Sequence, residues 1–395
     1  MTQGIPSLTG LRGIAAAWVL LFHIGLQARY VDPLIGQVLS TVAGGGFLGV
    51  DFFFVLSGFV IALNYSGDAA PTSVRSYLHF LKKRLARIYP VHVMVLLLLV
   101  AGVALLNLMS IRVARPWSRD AAGLLESAFL VQGWAFPIKA IWNIPSWSVS
   151  VEWLAYLLFP LVSLLATRLP SVRTKAAAAC ILLCVLPIVI VVAPQQGTMS
   201  LGLPRIAVEF SLGVLLYCGW TATRRTLFTR DQQWLAIVAA LVLGNVLANK
   251  LGAHIALMLA PVLAGTLIWI LACGKEGSDC LTSAPAQQLG KISYSLYLVH
   301  DVWILFAQSL MRHFDWVAST SLWAAAMTVV LIGSLASAQL LYALVEEPAR
   351  RWLAGGPNVR DQEPPQHPMT KSIRPQDPER SLPAAGGPGG VAWKP

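Results

Sequence analysis

The residue types best suited to chemistry in this sequence are a few ionisable side chains inside long apolar segments. Arg12 and His23 are eleven residues apart in the first such segment, SLTGLRGIAAAWVLLFH. In a helix this spacing is three turns plus about 20°, so both side chains project from one face, about 16 Å apart along the axis. A neutral histidine can accept a proton from a hydroxyl group. We interpret His23 as a candidate general base; the alternative is a packing histidine that bonds to a neighbouring helix.

Two arginines form a second candidate site in the stretch KKRLARIYP. Arg84 and Arg87 are spaced i, i+3 and therefore share one helix face. Guanidinium groups bind phosphates through two parallel hydrogen bonds, so the pair suits a phosphorylated ligand. The alternative is that both residues simply anchor the apolar segment that follows them.

A third candidate is the stretch WNIPSWSVSVEW, which places Ser148 and Glu152 i, i+4 on one face. No basic residue is near Glu152 in sequence, so its partner must come from another helix. Glu152 is expected either to orient His23 or to form a helix–helix hydrogen bond. Trp147 belongs to a group of tryptophans that is typical of a membrane-interface belt and is also suited to stacking on sugar rings.

A fourth candidate lies in KISYSLYLVHD, where Ser293, Tyr297 and His300 form a polar stripe at i, i+4, i+7, followed by Asp301. Elsewhere, Arg205 and Glu209 are spaced i, i+4 and are expected to form a structural ion pair with each other.

The elements that position these residues follow from composition. Of 395 residues, 56% are hydrophobic and only 12% are charged, against about 25% charged in a soluble domain. A soluble enzyme, a disulfide-stapled secreted domain and a disordered protein are therefore excluded. An all-α, polytopic membrane protein with about ten transmembrane helices in a lipid bilayer is predicted. The ten apolar segments are 7–28, 44–65, 86–108, 145–167, 176–193, 204–220, 233–250, 254–273, 289–311 and 319–345.

The distribution of basic residues predicts the orientation. With the N-terminus in the cytoplasm, nineteen of the 29 lysines and arginines flank the segments on the cytoplasmic side and eight on the other. This asymmetry favours both termini inside. Because the basic residues flank apolar segments, the net charge of +11 does not indicate nucleic acid. The five cysteines have no metal-ligand spacing, so no metal is expected.

Two regions fall outside the ten segments. Residues 119–135 look amphipathic and too short to cross a membrane, which predicts an interfacial or re-entrant helix on the outer side. After residue 353 the chain turns to proline, glycine and charge, which predicts a disordered cytoplasmic tail over 354–395. The membrane domain is accordingly expected over 1–353.

With these residues in place, the sequence resembles the membrane-bound acyltransferase 3 family, whose members acylate carbohydrates and related acceptors at bacterial membranes. The resemblance runs in order along nearly the whole chain. It rests on SLTGLRGIAAAWVLLFH (7–23), GFLGVDFFFVLSGFVI (46–61), RLARIYPVH (84–92), PSWSVSVEWLAYLLFP (145–160), RIAVEFSLGVLLY (205–217), KISYSLYLVHD (291–301) and EEPARRW (346–352). The family's Arg–His motif falls on Arg12 and His23, and its Arg-x-x-Arg motif on Arg84 and Arg87.

The resemblance implies an O-acyltransferase that moves an acyl group, by default acetyl, from acyl-CoA to a carbohydrate hydroxyl in the bacterial inner membrane. Acyl-CoA is a cosubstrate and no bound cofactor is expected. Exopolysaccharide, lipopolysaccharide and a glycosylated metabolite are candidate acceptors, and polysaccharide biosynthesis proteins are candidate partners. The expected catalytic residues are His23, Glu152, His300 and Asp301; the expected acyl-CoA-binding residues are Arg12, Arg84 and Arg87; the expected substrate-binding residues are Trp147, Ser148 and Tyr297.

In this hypothesis the imidazole of His23 and the arginine cluster lie along a single tunnel, and either Glu152 or Asp301 with His300 orients the imidazole ring. Direct transfer and an acyl-histidine intermediate remain open. Two other classes of function would also explain buried charges: a transporter or flippase for a glycan-type substrate, and a non-catalytic scaffold or receptor.

Overall fold

The computed structural model consists of helices and describes most of the chain. No β-strand occurs among the described residues apart from one isolated bridge between Phe228 and Gly274. The predicted tail over 354–395 lies outside the described part. The described residues are 5–28, 32–67, 70–114, 120–135, 142–192, 199, 201–223, 226–275, 280–316 and 319–353.

Thirteen α-helices are found in these ranges, and they confirm the all-α prediction. They are α1 (Pro6–Ala28), α2 (Pro33–Ala43), α3 (Gly49–Tyr65), α4 (Val74–Leu108), α5 (Ala121–Ala128), α6 (Ser146–Arg168), α7 (Val172–Val192), α8 (Gly202–Thr223), α9 (Arg230–Val246), α10 (Ala253–Ala272), α11 (Ala284–His313), α12 (Thr320–Leu341) and α13 (Glu347–Leu353). Two short π-helical segments, Leu247–Leu251 and Tyr342–Glu346, extend α9 and α12.

Each of the ten predicted apolar segments coincides with a long helix. Nine helices within the described ranges are long and apolar enough to cross a membrane. The segment 289–311 corresponds to α11, which has 30 residues but falls outside that set. α11 buries polar side chains, among them Ser293, His300 and Asp301. Its polarity therefore reflects a position inside the bundle.

The two short helices differ in how well the sequence predicts them. The helix expected within 119–135 is present as α5, and the residues after it attach to the start of α6, where Gly133 N–H donates to Ser150 Oγ at 3.0 Å. α2 lies between the predicted apolar segments 7–28 and 44–65, where no helix is predicted. The sequence signal for the start of α2 is Asp32 followed by Pro33. The Asp32 carboxylate caps the helix by accepting a hydrogen bond from the backbone N–H of Leu34 at 2.8 Å.

The connections lie at two opposite ends of the bundle. At the end where α1 begins, called the N-terminal end, Ser7 Oγ donates to Cys280 O at 2.8 Å. At the opposite end, Asn245 binds the connection between α2 and α3, and Arg312 donates to Ala114 O at 2.7 Å. Arg12 on α1 is therefore nearer the N-terminal end, and His23 is nearer the opposite end.

Close packing of α1 against α11 positions the candidate catalytic histidines. A Cβ atom added at Gly290 would lie 2.1 Å from Thr9 O, and one added at Gly13 would lie 2.8 Å from Gly290 N. Both contacts are with backbone, which cannot move away without separating the helices. Glycine at these two positions is therefore required for the approach of α1 to α11.

We predict that Gly290→Ala lowers the thermal unfolding midpoint in detergent, because overpacking at about 1–3 kcal/mol exceeds the gain in helix propensity of about 1 kcal/mol. Gly265→Ala is the matched control, since its Cβ would meet neighbours only at 3.4 Å or more. Equal midpoints for the two variants would contradict the proposed role of this packing.

Candidate active site

Two histidines from different helices meet near the opposite end of the bundle. His23 Nδ1 lies 3.3 Å from His300 Nε2, and the ring centroids are 5.0 Å apart. His23 Nδ1 also lies 2.9 Å from Val19 O, and His300 Nδ1 lies 3.2 Å from Leu296 O. The structure thus brings His300 to the imidazole that it was expected to orient.

The hydrogen bonds to backbone carbonyls assign a tautomer to each ring. A carbonyl oxygen only accepts, so Nδ1 of both His23 and His300 carries the hydrogen. The lone pair on His300 Nε2 then faces the Nδ1–H of His23. In this arrangement Nε2 of His23 carries a lone pair and no hydrogen. A general base accepts a proton at such a nitrogen.

His23 lines a cavity of about 410 Å³, called here the histidine cavity. This volume lies within the range of about 300–1,000 Å³ that is typical of small-molecule sites. Three aromatic side chains line it: Phe22, Phe47 and Trp147. Four polar side chains line it: His23, Arg205, Asn249 and Tyr297. A cavity with aromatic faces and a few polar groups is suited to a hydroxylated, ring-shaped acceptor.

Asn249 was not singled out from sequence, and its local structure explains why. It lies in the π-helical segment Leu247–Leu251, and its Nδ2 donates to Ser40 O at 2.7 Å at the end of α2. π-Helical segments occur frequently at functional sites. The sequence carries no recognisable signal for this one.

The three predicted arginines come together in a second cavity, called here the arginine cavity. Arg12, Arg84 and Arg87 line it from α1 and α4. The cavity is narrow, at about 70 Å³. The guanidinium of Arg84 lies over the Tyr65 ring at 5.1 Å and donates to the Tyr65 hydroxyl at 3.2 Å. Its orientation is therefore fixed before any ligand binds.

Glu152 lines the arginine cavity rather than the histidine cavity. It accepts a hydrogen bond of 2.5 Å from Tyr156, and the Tyr156 hydroxyl lies 3.3 Å from Ser57 Oγ. Ser148, one turn before Glu152, lines the same cavity. Of the two groups expected to orient His23, the structure therefore brings His300 to the ring and places Glu152 beside the arginines.

Tyr297 lines both cavities and lies between them. Its hydroxyl is 2.8 Å from Ser148 Oγ and 3.1 Å from Pro145 O. Phe53 contacts its ring edge-on at 5.8 Å. The structure therefore places the arginines and His23 on two separate cavities that share Tyr297 as a lining residue, rather than on the expected single tunnel. The spacing of residues along one helix predicts their relative depth in the membrane. It does not predict which side chain of another helix lies between them.

Asp301 connects α11 to the segment that precedes α6. Its Oδ2 accepts from the backbone N–H of Ile144 at 3.4 Å, and the neighbouring Asn143 donates to Leu298 O at 3.1 Å. Ile144 and Pro145 both line the histidine cavity. Asp301 thus holds part of the wall of that cavity.

A buried ionic cluster lies between α3 and α8. Arg205 forms an ion pair with Asp51 at 2.9 Å, and the two side chains are 2% and 0% exposed. The Arg205 guanidinium also faces the Trp147 ring at 5.3 Å. Glu209 interacts electrostatically with both members of the pair. The sequence predicted an Arg205–Glu209 pair, but the structure pairs Arg205 with Asp51 on another helix.

The fold and cavities define a helical, multi-pass membrane protein with His23 on the wall of one cavity and a guanidinium cluster on the wall of another. A family model described as an acyltransferase domain, acyltransferase family 3, matches residues 5–342. The chain belongs to this family, as its resemblance implied, and it is a membrane acyltransferase. This assignment favours an enzyme over a transporter, a flippase or a scaffold.

Curated relatives agree with the family. The acyltransferase MdmB of Streptomyces mycarofaciens is 30% identical over 383 residues, covering 88% of this chain and 92% of that protein. The O-acetyltransferase OatA of Staphylococcus aureus is 30% identical over 169 residues, covering 40% of this chain and 24% of that protein. The match to OatA thus spans about a quarter of its length. No solved structure gives a significant match.

We predict that Arg205→Met is strongly destabilising, by about 3–5 kcal/mol, because it leaves the Asp51 carboxylate buried beside Glu209 without its cation. The double variant Arg205→Met/Asp51→Leu should recover much of the loss, since it removes both charges of the pair. Denaturant unfolding in detergent measures both. If the double variant were less stable than Arg205→Met, the ion pair would not be the source of the effect.

Proposed function

We propose that the protein is an O-acyltransferase that moves an acetyl group from acyl-CoA to a hydroxyl of a carbohydrate acceptor. The observation that carries this proposal is His23, paired with His300, on the wall of a cavity with aromatic and polar side chains that shares Tyr297 with the cavity of the three arginines. Family membership supports acyl transfer, and the donor and acceptor follow from the chemistry of the two cavities.

The arginine cavity is the proposed donor side. CoA carries phosphates, and guanidinium groups bind phosphates through charge-assisted hydrogen bonds. Arg12, Arg84 and Arg87 provide three such groups around one space. Since that space is only about 70 Å³, the phosphates lie at its mouth while the thin pantetheine arm carries the thioester inward.

The histidine cavity is the proposed acceptor side. Its aromatic walls suit the apolar faces of sugar rings, and Asn249 offers both a donor and an acceptor to sugar hydroxyls. The volume of about 410 Å³ accommodates one end of a glycan or a glycosylated small molecule. Exopolysaccharide, lipopolysaccharide and a glycosylated metabolite are the acceptor classes to test.

His23 is the proposed general base. Its Nε2 takes the acceptor proton, the hydroxyl oxygen attacks the thioester carbonyl, and the carbon–sulfur bond breaks. The proton on His23 then passes to the departing CoA thiolate. In the alternative route Nε2 attacks the thioester carbonyl first, the carbon–sulfur bond breaks and CoA leaves as the thiolate. The acceptor hydroxyl then attacks the acyl carbon, the carbon–nitrogen bond breaks, and the hydroxyl proton passes to the thiolate. His300 serves both routes, because its Nε2 lone pair faces the His23 Nδ1–H and stabilises positive charge on the ring.

Passage between the cavities requires Tyr297 to move. We place its ring in the direct path because Tyr297 lines both cavities, and its hydroxyl is bound to Ser148 and Pro145 at the start of α6. In the proposed cycle the incoming acyl arm displaces this ring. The thioester then reaches His23. At other times the Tyr297 ring excludes water from the path between the two cavities.

The proposed location is the bacterial inner membrane with both termini in the cytoplasm. In this orientation the N-terminal end of the bundle, with Arg12, faces the cytoplasmic acyl-CoA. The histidine cavity then faces the outer side, where surface glycans are assembled. Polysaccharide biosynthesis proteins are the proposed partners.

The test of function is transfer of labelled acetyl groups by the purified protein in lipid nanodiscs. Labelled acetyl-CoA is supplied with oligosaccharides of the three acceptor classes, and acetylated product is measured. His23→Ala should lower the rate by about 10²–10⁴ because it removes the base. The control is His79→Ala, which changes an exposed histidine on α4. Wild-type turnover by a well-folded His23→Ala protein would remove the proposed role.

A second prediction concerns Tyr297. Tyr297→Phe keeps the ring but loses the hydrogen bonds to Ser148 and Pro145, each worth about 0.5–1.5 kcal/mol. The cavities should then connect more often, and acetyl-CoA hydrolysis without acceptor should rise by about 2–10-fold relative to transfer. Tyr89→Phe, at an exposed position on α4, is the control. An unchanged ratio of hydrolysis to transfer would show that Tyr297 does not separate the cavities.

A further inference from the structure

The short C-terminal helix α13 is held against the helix that carries two of the donor-side arginines. α13 packs on α4 and on the π-helical segment Tyr342–Glu346. Glu346 is only 1% exposed and accepts a hydrogen bond of 3.0 Å from Ser295 on α11. Since this buried contact immediately precedes α13, the position of the helix is fixed by the interior of the bundle.

α13 presents two neighbouring arginines in different environments. The Arg350 side chain is 42% exposed and lies 3.3 Å from Glu347 Oε2; the Arg351 side chain is 63% exposed and lies 2.9 Å from Glu347 Oε1. Glu347 therefore pairs with both Arg350 and Arg351. Arg350 also interacts electrostatically with Arg87 of the arginine cluster, on α4.

Arg350 extends a series of guanidinium groups from the surface into the protein. Arg87 interacts with both Arg350 and the more deeply placed Arg12. Three carboxylates offset part of this positive charge: Glu152 and Glu346 interact with Arg12, and Glu346 and Glu347 interact with Arg350. Like charges at this spacing repel each other, so the series is suited to a ligand with several negative charges along its length.

We propose that Arg350 binds a phosphate at the nucleotide end of the CoA donor. This inference rests on the proposed function. A donor whose thioester enters the protein leaves its nucleotide end near the surface, and Arg350 is a partly exposed guanidinium on a helix packed against α4 that interacts with Arg87. A lipid headgroup phosphate offers the same chemistry, so the experiment separates the two sources.

The experiment compares Arg350→Gln with Arg351→Gln, a matched control on the same helix with the same Glu347 partner. CoA binding is measured directly by calorimetry in nanodiscs of neutral lipid, and KM is measured for acetyl-CoA and for acetyl-pantetheine, which lacks phosphates. Arg350→Gln should weaken CoA binding and raise the KM for acetyl-CoA by about tenfold, as expected for loss of one charge-assisted hydrogen bond. The KM for acetyl-pantetheine, and both values for Arg351→Gln, should match wild type. Arg350→Lys should recover part of the loss because it retains the charge.

Three outcomes would overturn the assignment. Equal effects of Arg350→Gln and Arg351→Gln would show a general surface-charge effect. An equal rise in KM for acetyl-pantetheine would show structural damage. The calorimetry is repeated in nanodiscs that contain anionic phospholipid; a loss seen there and not in neutral lipid would assign Arg350 to a lipid headgroup. The proposed function fails separately, if wild-type protein neither binds CoA nor transfers acetyl groups.

Discussion

The organisation of this protein depends on the cost of placing an ionisable group inside an apolar bundle. Such a group is stable only with a partner that comes from another helix or the next turn. Arg205 and Asp51 join α8 to α3, His300 and His23 join α11 to α1, and Glu346 joins the π-helical segment after α12 to α11. The first two contacts connect helices that are far apart in sequence, and they hold Arg205 and His23 on the wall of the histidine cavity.

The chemistry of the two cavities depends on which partner each ionisable side chain has. The hydrogen bond to the backbone carbonyl of Val19 assigns the hydrogen of His23 to Nδ1 and makes Nε2 the basic nitrogen of a residue that lines the histidine cavity. Glu152, bonded to Tyr156, lies instead among the arginines. Tyr297 separates a cationic cavity from one that contains a base. In the proposed enzyme this separation keeps water from the thioester until the acceptor is bound.

The fold could be predicted from the sequence because the length and hydropathy of a segment are local properties, and every predicted apolar segment is a helix. The grouping of Arg12, Arg84 and Arg87 was also predicted. The pairing of Arg205 with Asp51 joins residues 154 positions apart, so spacing within one helix could not predict it. His300 was one of two groups expected to orient His23, and only the structure shows which of them lies at the ring. The division into two cavities was not predicted, since it depends on contacts between helices such as that of Tyr297 with Ser148.

The central claim is that the acyl group passes from the arginine cavity to His23 when Tyr297 moves. The most direct measurement is a cryo-microscopy structure with a thioether analogue of acetyl-CoA, which binds but cannot transfer its acyl group. The account predicts phosphate density at the arginines, the Tyr297 hydroxyl released from Ser148, and the acyl carbonyl within about 3–3.5 Å of His23 Nε2. An acyl group that stays in the arginine cavity behind an unmoved Tyr297, or that lies in neither cavity, would contradict it.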